Sequence, residues 1–279
     1  MKEIRLNDLG YPSSFFIMFS RSIQIYRSSA FNYLLLSFIV YLPFSVIEQL
    51  GRSGLSASVE IIHGSFLDML VFLSLPTLII YKKIYPIGTI RIFLLRFFAS
   101  AVILSIFQLL LYFLGILGFI PYIFIMFSGF FLIIENSPKI LNIKRCLMQS
   151  ISAVRNFVVP ISWNYLLITV LITLPVSAFA MWYFSDHQKL WQSIGELDSV
   201  RESNTVSIQQ LIEAALLLMQ EPNFVLGRSI LHIAFRPLKS IFVAVLFVSV
   251  MYRLDPIRID SFLSIKSNDS PSESLPESL

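Results

Sequence analysis

The chain is predicted to be an all-α polytopic membrane bundle of six spans. Three observations predict it. Of 279 residues, 56% are hydrophobic and 14% charged, with 26 Phe; a soluble domain carries about a quarter charged residues. Six segments are apolar over the ~20 residues needed to cross ~30 Å of hydrocarbon. Lys and Arg gather on alternate connections, as they do in membrane proteins.

The spans run roughly 30–47, 61–81, 92–114, 118–134, 159–184 and 230–252. The third and fourth are joined by LGILGFIP, an uncharged stretch with Gly115, Gly118 and Pro121, which reads as a tight hairpin. Lys2, Arg5, Arg21 and Arg27 precede the first span. Lys82, Lys83 and Arg91 follow the second, with Arg96 just inside the third. Lys139, Lys144, Arg145 and Arg155 follow the fourth, and Arg253, Arg258 and Lys266 the sixth. Only Arg52, Lys189, Arg201 and Arg228 fall on the other side. This bias places both termini in the cytoplasm. Residues 1–14 are polar, and the first apolar run lacks a small-residue cleavage site, so no cleavable signal is expected.

Two basic amphipathic helices are expected at the cytoplasmic interface, each leading into a span. In the first, Phe15, Phe16, Phe19, Ile23 and Tyr26 share a face, with Arg21 and Arg27 off it. In the second, Ser137 can cap the helix and Pro138 suits its first position. There Ile140, Ile143, Leu147, Ile151 and Val154 face one way, while Lys144, Arg145, Gln149 and Arg155 fall mostly on the other side. The expected partner of Arg21, Arg27, Lys144, Arg145 and Arg155 is a phospholipid bilayer with an anionic cytoplasmic leaflet. No nucleic-acid partner is implied.

The outer connection Ser185–Leu226 holds six acids and two bases. Within it, residues 205–220 place Ile208, Leu211, Ile212, Ala215, Leu216 and Met219 on one stripe, so an outer amphipathic helix is expected there, ending at Pro222. The tail, 255–279, is acidic and Ser/Pro-rich and is expected to be disordered.

A weak internal parallel repeat runs through this layout. NYLLLSFIVYLP begins at Asn32 and NYLLITVLITLP at Asn164. Ser22-Ile23 and Ser150-Ile151 precede the two copies, and Pro43 and Pro175 close them. The second copy is longer by four residues ahead of its Asn, since 164 − 150 is 14 and 32 − 22 is 10. Matching Tyr81 with Tyr252 sets Asp68 against Lys239, each 13 residues earlier. Thirteen residues of helix rise about 20 Å, into the outer half of a bilayer. Parallel repeats relate halves about an axis along the membrane normal.

Charges inside spans are costly and usually face the interior. The candidates are Asp68, Arg236 and Lys239, whose two simplest accounts are an ion pair and snorkelling to the outer interface; a substrate or proton site is the other reading. His63, His187 and His232 do not have metal-pair spacing, and no nucleophile elbow or phosphate loop occurs. No catalytic, metal or cofactor site is therefore expected. The single cysteine, Cys146, excludes an internal disulfide and reads as a small buried thiol.

The run from FLGILGFIP to SAVRNFVVP, with Glu135, Ser150, Arg155 and Pro160, resembles the YciC-like inner-membrane proteins of Gram-negative bacteria. The QQLIEAALLLMQ segment and the last span ending MYRL are also similar. The resemblance extends from about Ile92 to Arg253, departs in the acidic tail, and implies a multi-pass protein of the bacterial cytoplasmic (inner) membrane. More distantly, the layout resembles the membrane domain fused to some glycerophosphodiester phosphodiesterases, whose catalytic barrel has no counterpart here.

Two functions follow as expectations. One is a non-enzymatic accessory or scaffold protein of envelope maintenance. The alternative is a transporter or channel for a lipid or small solute, with its site at the repeat interface near Asp68. A polar cavity there favours transport, whereas a packed, dry interface favours the scaffold.

Overall fold

The computed structural model describes residues 15–50, 64–72, 101–102, 105–107, 114, 116–134, 143–186, 221–255 and 257. Outside the described residues lie the end of the second expected span, most of the third, Glu135, Ser137 and Pro138, the outer helix 205–220 and the tail beyond Ile257. Every regular element among the described residues is a helix.

Helices α1 (Phe15–Ser28) and α2 (Ala30–Leu50) are separated by Ser29 alone. The Ser29 amide donates to the Tyr26 carbonyl at 3.3 Å and the Tyr33 amide to the Ser29 carbonyl at 3.1 Å, so the chain bends while its backbone groups stay paired. Residues 64–72 form a buried helical segment, α3. Then come α4 (Ile116–Ile125), α5 (Ser128–Ile134), α6 (Ile143–Arg155), α7 (Val158–Asp186) and α8 (Pro222–Leu254). The α6–α7 bend spans only residues 156–157, with the Phe157 amide donating to the Val154 carbonyl at 2.7 Å.

Two helices, Val158–Ser185 and Asn223–Leu254, are long and apolar enough to cross a membrane. They sit differently. In α8, 78% of the apolar window is buried, against 17% in α7. Residues 237–251 of α8 are all buried, as expected of a helix apolar on every side. α8 is thus the axis of the bundle, packed against α7, α1 and α2. Phe247 is its anchor: its ring lies 5.3, 5.2, 5.0 and 5.3 Å from those of Phe72, Phe127, Phe130 and Phe131. α7 is peripheral and exposes Val159, Trp163, Leu174, Met181 and Trp182.

The structure corrects several sequence expectations. Gly118 and Pro121 do not close a hairpin but lie within α4. Pro121 lies past the first turn of that helix, so its missing N–H leaves the Leu117 carbonyl without its helical donor. The fourth segment is instead interrupted at Met126 and Phe127. The helix that carries the expected span 230–252 begins at Pro222; proline is preorganised for the first helical position. Its start is held by Glu221, whose carbonyl accepts the Val225 amide at 2.9 Å.

The faces of the two basic helices are also shifted. The buried stripe of α1 is Met18, Ser22 and Ile25, flanked by Phe15, Phe19, Ile23 and Tyr26, while Phe16 is 77% exposed. That stripe meets protein: Phe15 lies 5.4 Å from Phe242, and the Tyr26 hydroxyl donates to the Ala234 carbonyl at 2.9 Å. On α6 the buried stripe is Cys146, Ser150, Ala153 and Val154. These residues are mostly small, so α6 approaches α4 and α5 closely. Ile143 and Ile151 lie at the edge of this contact, partly exposed.

Candidate functional site

The polar residues of α7 and α8 meet between the two helices. On α8, Arg228, His232, Arg236 and Lys239 recur at spacings of four, four and three, which puts them on one face. On α7, Thr169, Thr173 and Ser177 recur every four residues. The two polar stripes line a cavity of roughly 230 Å³ together with Ile172 and Val176.

Aromatic packing holds the helices together at the end of this seam near the α8 N-terminus. Phe224 lies 5.7, 5.3 and 5.5 Å from Phe179, Tyr183 and Phe184, and the Tyr183 hydroxyl donates to the Glu221 carboxylate. Gly227 permits this approach, because a Cβ there would lie 2.3 Å from the Phe179 ring. At the other end Lys239 Nζ sits 4.8 Å from the centre of the Tyr165 ring, within the range of a cation–π contact. The Tyr165 hydroxyl donates in turn to that of Tyr122 at 3.3 Å.

The three charges singled out in the sequence come together here. Asp68 is buried on α3 and accepts a hydrogen bond from the Ser240 hydroxyl. It lies within electrostatic reach of Arg236 and Lys239. The Arg236 guanidinium packs against Gly64, one turn before Asp68: a Cβ at Gly64 would fall 1.7 Å from Arg236 Nη2. Only a glycine lets the guanidinium lie that close to the α3 backbone. Asp68 is not among the residues lining the cavity; Arg236 and Lys239 are. Among the polar atoms of lining residues, Arg236 Nε and Thr169 Oγ1 are buried without a hydrogen-bond partner. A buried unpaired donor costs about 1–3 kcal/mol.

Sequence reasoning missed Tyr165, Tyr122, the Thr/Ser stripe, and Arg228 and His232. The four-residue spacing of Thr169, Thr173 and Ser177, facing a similar spacing on the last helix, is the signal that finds them. The basic residues of the two amphipathic helices lie away from this site: Arg27, Lys144, Arg145 and Arg155 are exposed and Arg21 is half-buried. Among the described residues no three His, Cys, Asp or Glu side chains are grouped to hold a metal ion.

A second cavity opens between α2 and α8, on the opposite side of α8. It measures roughly 800 Å³ and is mainly apolar, with Phe31, Leu35, Phe38, Leu226, Ile230 and Ile233 among its lining. Tyr41 and Ser229 hydrogen-bond at 3.2 Å in its wall.

Comparison with protein-family models, with curated proteins and with solved structures finds no match for this chain.

Proposed function

We propose that the chain is a non-enzymatic, six-span protein of the bacterial inner membrane, with both termini cytoplasmic, that binds or moves a lipid or small solute at the α7–α8 seam. The observation that carries the reading is the polar cavity between two apolar helices, faced by Arg236 and Lys239 with Asp68 beside them. Intramembrane ionisable groups are expensive, and they mark sites or paths when they face a cavity. The apolar exterior of α7 is what a helix facing lipid requires.

The internal repeat and the interfacial helices belong to this proposal. Each half has a helix, a bend of one or two residues, and a long apolar helix carrying Asn-Tyr near its start. Asn32 is two residues beyond Ala30 and Asn164 six beyond Val158, so the four extra residues of the second copy fall in one added turn of α7. Met148 and Ile151 on α6 stay exposed beside basic residues, in keeping with contact to an anionic leaflet, whereas α1 runs along α8 from Phe242 to Ala234. The YciC-like resemblance agrees with this architecture and names no substrate.

A second reading, an accessory or scaffold role in envelope maintenance, is favoured by the apolar α2–α8 groove, which could seat a partner helix. Filling the polar cavity separates the two. Mass spectrometry of molecules extracted from the purified chain and from Thr173→Trp is expected to show a stoichiometric ligand in the former that the latter lacks. Identical, non-stoichiometric lipid in both would leave the scaffold reading.

A further inference from the structure

We propose that the α7–α8 cavity takes a phosphate-type oxyanion, held by the Arg236 guanidinium, the Lys239 ammonium and the Thr169 hydroxyl. The proposal rests on the reading of this cavity as a ligand site and deepens it by naming the ligand's chemistry.

The charge balance comes first. Arg236 and Lys239 both line the cavity, whose lining holds no carboxylate, and Asp68, outside the lining, lies within electrostatic reach of both. Asp68 also accepts the Ser240 hydroxyl, so part of its hydrogen-bonding capacity is used there. Two fixed cations against one carboxylate leave a net positive charge, and in a low-dielectric seam such a charge attracts a negative group strongly.

The donors come second. Arg236 Nε and Thr169 Oγ1 are both buried and without a partner. Guanidinium and hydroxyl groups together suit the several lone pairs of a tetrahedral oxyanion. Lys239 approaches Tyr165 by one face of its ammonium, and an ammonium has three N–H groups, so a donor toward the cavity remains. The facing wall adds the hydroxyl of Ser177, while that of Thr173 donates to the Thr169 and Val170 carbonyls, each at 3.0 Å.

Size comes third. At roughly 230 Å³, the cavity is below the ~300–1,000 Å³ of pockets that take drug-sized ligands. It suits a small ion or a headgroup. Its neighbourhood offers no aromatic box for a cation, and its lining contains no carboxylate. A solute cation would have to enter past Arg228, Arg236 and Lys239.

The oxyanion can arrive free or as the headgroup of a lipid, and the test has an arm for each. The full chain, purified in detergent, is titrated with inorganic phosphate and, separately, with dihexanoyl phosphatidic acid; dihexanoyl glycerol serves as the phosphate-free control. The proposal expects binding of at least one phosphate probe and none of the control. Phosphate binding identifies a free ion as sufficient; binding of phosphatidic acid alone identifies a lipid headgroup. Arg236→Gln is expected to weaken binding by about tenfold or more, the cost of losing a charged hydrogen bond. Gly64→Ala provides a second variant with Arg236 unchanged: its methyl group displaces the end of a long side chain rather than backbone, and should weaken binding while cooperative unfolding persists.

Binding of neither probe by cooperatively unfolding wild-type protein would overturn the proposal, as would undiminished binding by both variants or equal binding of the control. If the purified chain nevertheless carries a stoichiometric ligand that Thr173→Trp lacks, the oxyanion assignment fails and the cavity remains a ligand site. If it carries none, both fail.

Discussion

Lys239 Nζ lies 4.8 Å from the centre of the Tyr165 ring, and this contact ties α7 to α8 within the second half of the proposed repeat. Tyr165 belongs to the second NYLL copy, and Lys239 is the residue matched to Asp68. The ring gives a buried ammonium, only 8% exposed, a partner that leaves its N–H groups available. A desolvated cation–π contact is worth about 2 kcal/mol. Tyr165→Leu should therefore lower stability in detergent by roughly 1–2 kcal/mol. Tyr165→Phe keeps the ring and loses only the hydrogen bond to Tyr122, so it should cost less. Thermal unfolding of the pair checks this; equal losses would show that the ring face contributes nothing.

Ser240 is fully buried and donates to buried Asp68. Ser240→Ala removes that donor and should destabilise the fold by about 1–3 kcal/mol, the range for leaving a buried polar group unsatisfied. Asp68→Asn in the same background should recover part of the loss, because a neutral amide is cheaper to bury than a carboxylate. Denaturant unfolding of the single and double variants measures the recovery. No recovery would mean that Asp68 is held by other groups.

Ser22 and Ser150 occupy matched positions and are both fully buried, yet they bond differently. The Ser22 hydroxyl donates to the Met18 carbonyl in its own helix at 2.8 Å. That of Ser150 crosses to the Phe124 carbonyl of α4 at 2.7 Å. Phe124 is in the last turn of α4, where carbonyls lose their intrahelical donors. Ser150→Ala should cost about 1 kcal/mol or more, and Ser22→Ala clearly less, since the Met18 carbonyl keeps its helical bond. Melting temperatures of the two variants decide the point.

Tyr26 supplies the hydroxyl that ties α1 to Ala234. Pro237 lies three residues on, where its ring disturbs the helical ladder. Burial pushes the Tyr26 phenol above its ordinary value, so the folded chain holds that proton more tightly than the unfolded one. This contribution is present in full below the ordinary phenol range near pH ~10 and fades as pH rises through the raised folded value. Tyr26→Phe should cost about 1 kcal/mol at neutral pH and flatten the alkaline fall in stability. An unchanged alkaline limb would assign that fall to other groups.

Much of this was legible in the sequence, and the rest was not for physical reasons. Asp68, Arg236 and Lys239 stood out because charges in apolar runs are costly wherever the chain folds. Their neighbours did not. Thr169, Thr173 and Ser177 are ordinary in spans, and Tyr165 reads as an interfacial aromatic until Lys239 is placed over it. Arg228 fell just before the expected span 230–252, because hydropathy is low around it although the helix continues from Pro222, and His232, inside that span, has no metal-pair spacing to single it out. The broken fourth segment was hidden for the opposite reason. Met126 and Phe127 are apolar, so hydropathy runs smoothly through a turn that backbone geometry alone reveals. The shifted faces of α1 and α6 reflect packing on protein: buried Ser22, Ser150 and Ala153 matter for close approach, which a hydrophobic stripe does not register.

The central claim is that a polar cavity lies between membrane-crossing helices, and cysteine accessibility tests it most directly. Thr173 is exposed and lines the cavity, whereas Leu174, 58% exposed on the same helix turn, does not line it. In intact membranes, with buried Cys146 replaced by Ala, a small water-soluble thiol reagent is expected to modify Thr173→Cys and to spare Leu174→Cys. Modification of both would contradict a lipid-facing α7, and modification of neither would contradict a hydrated cavity.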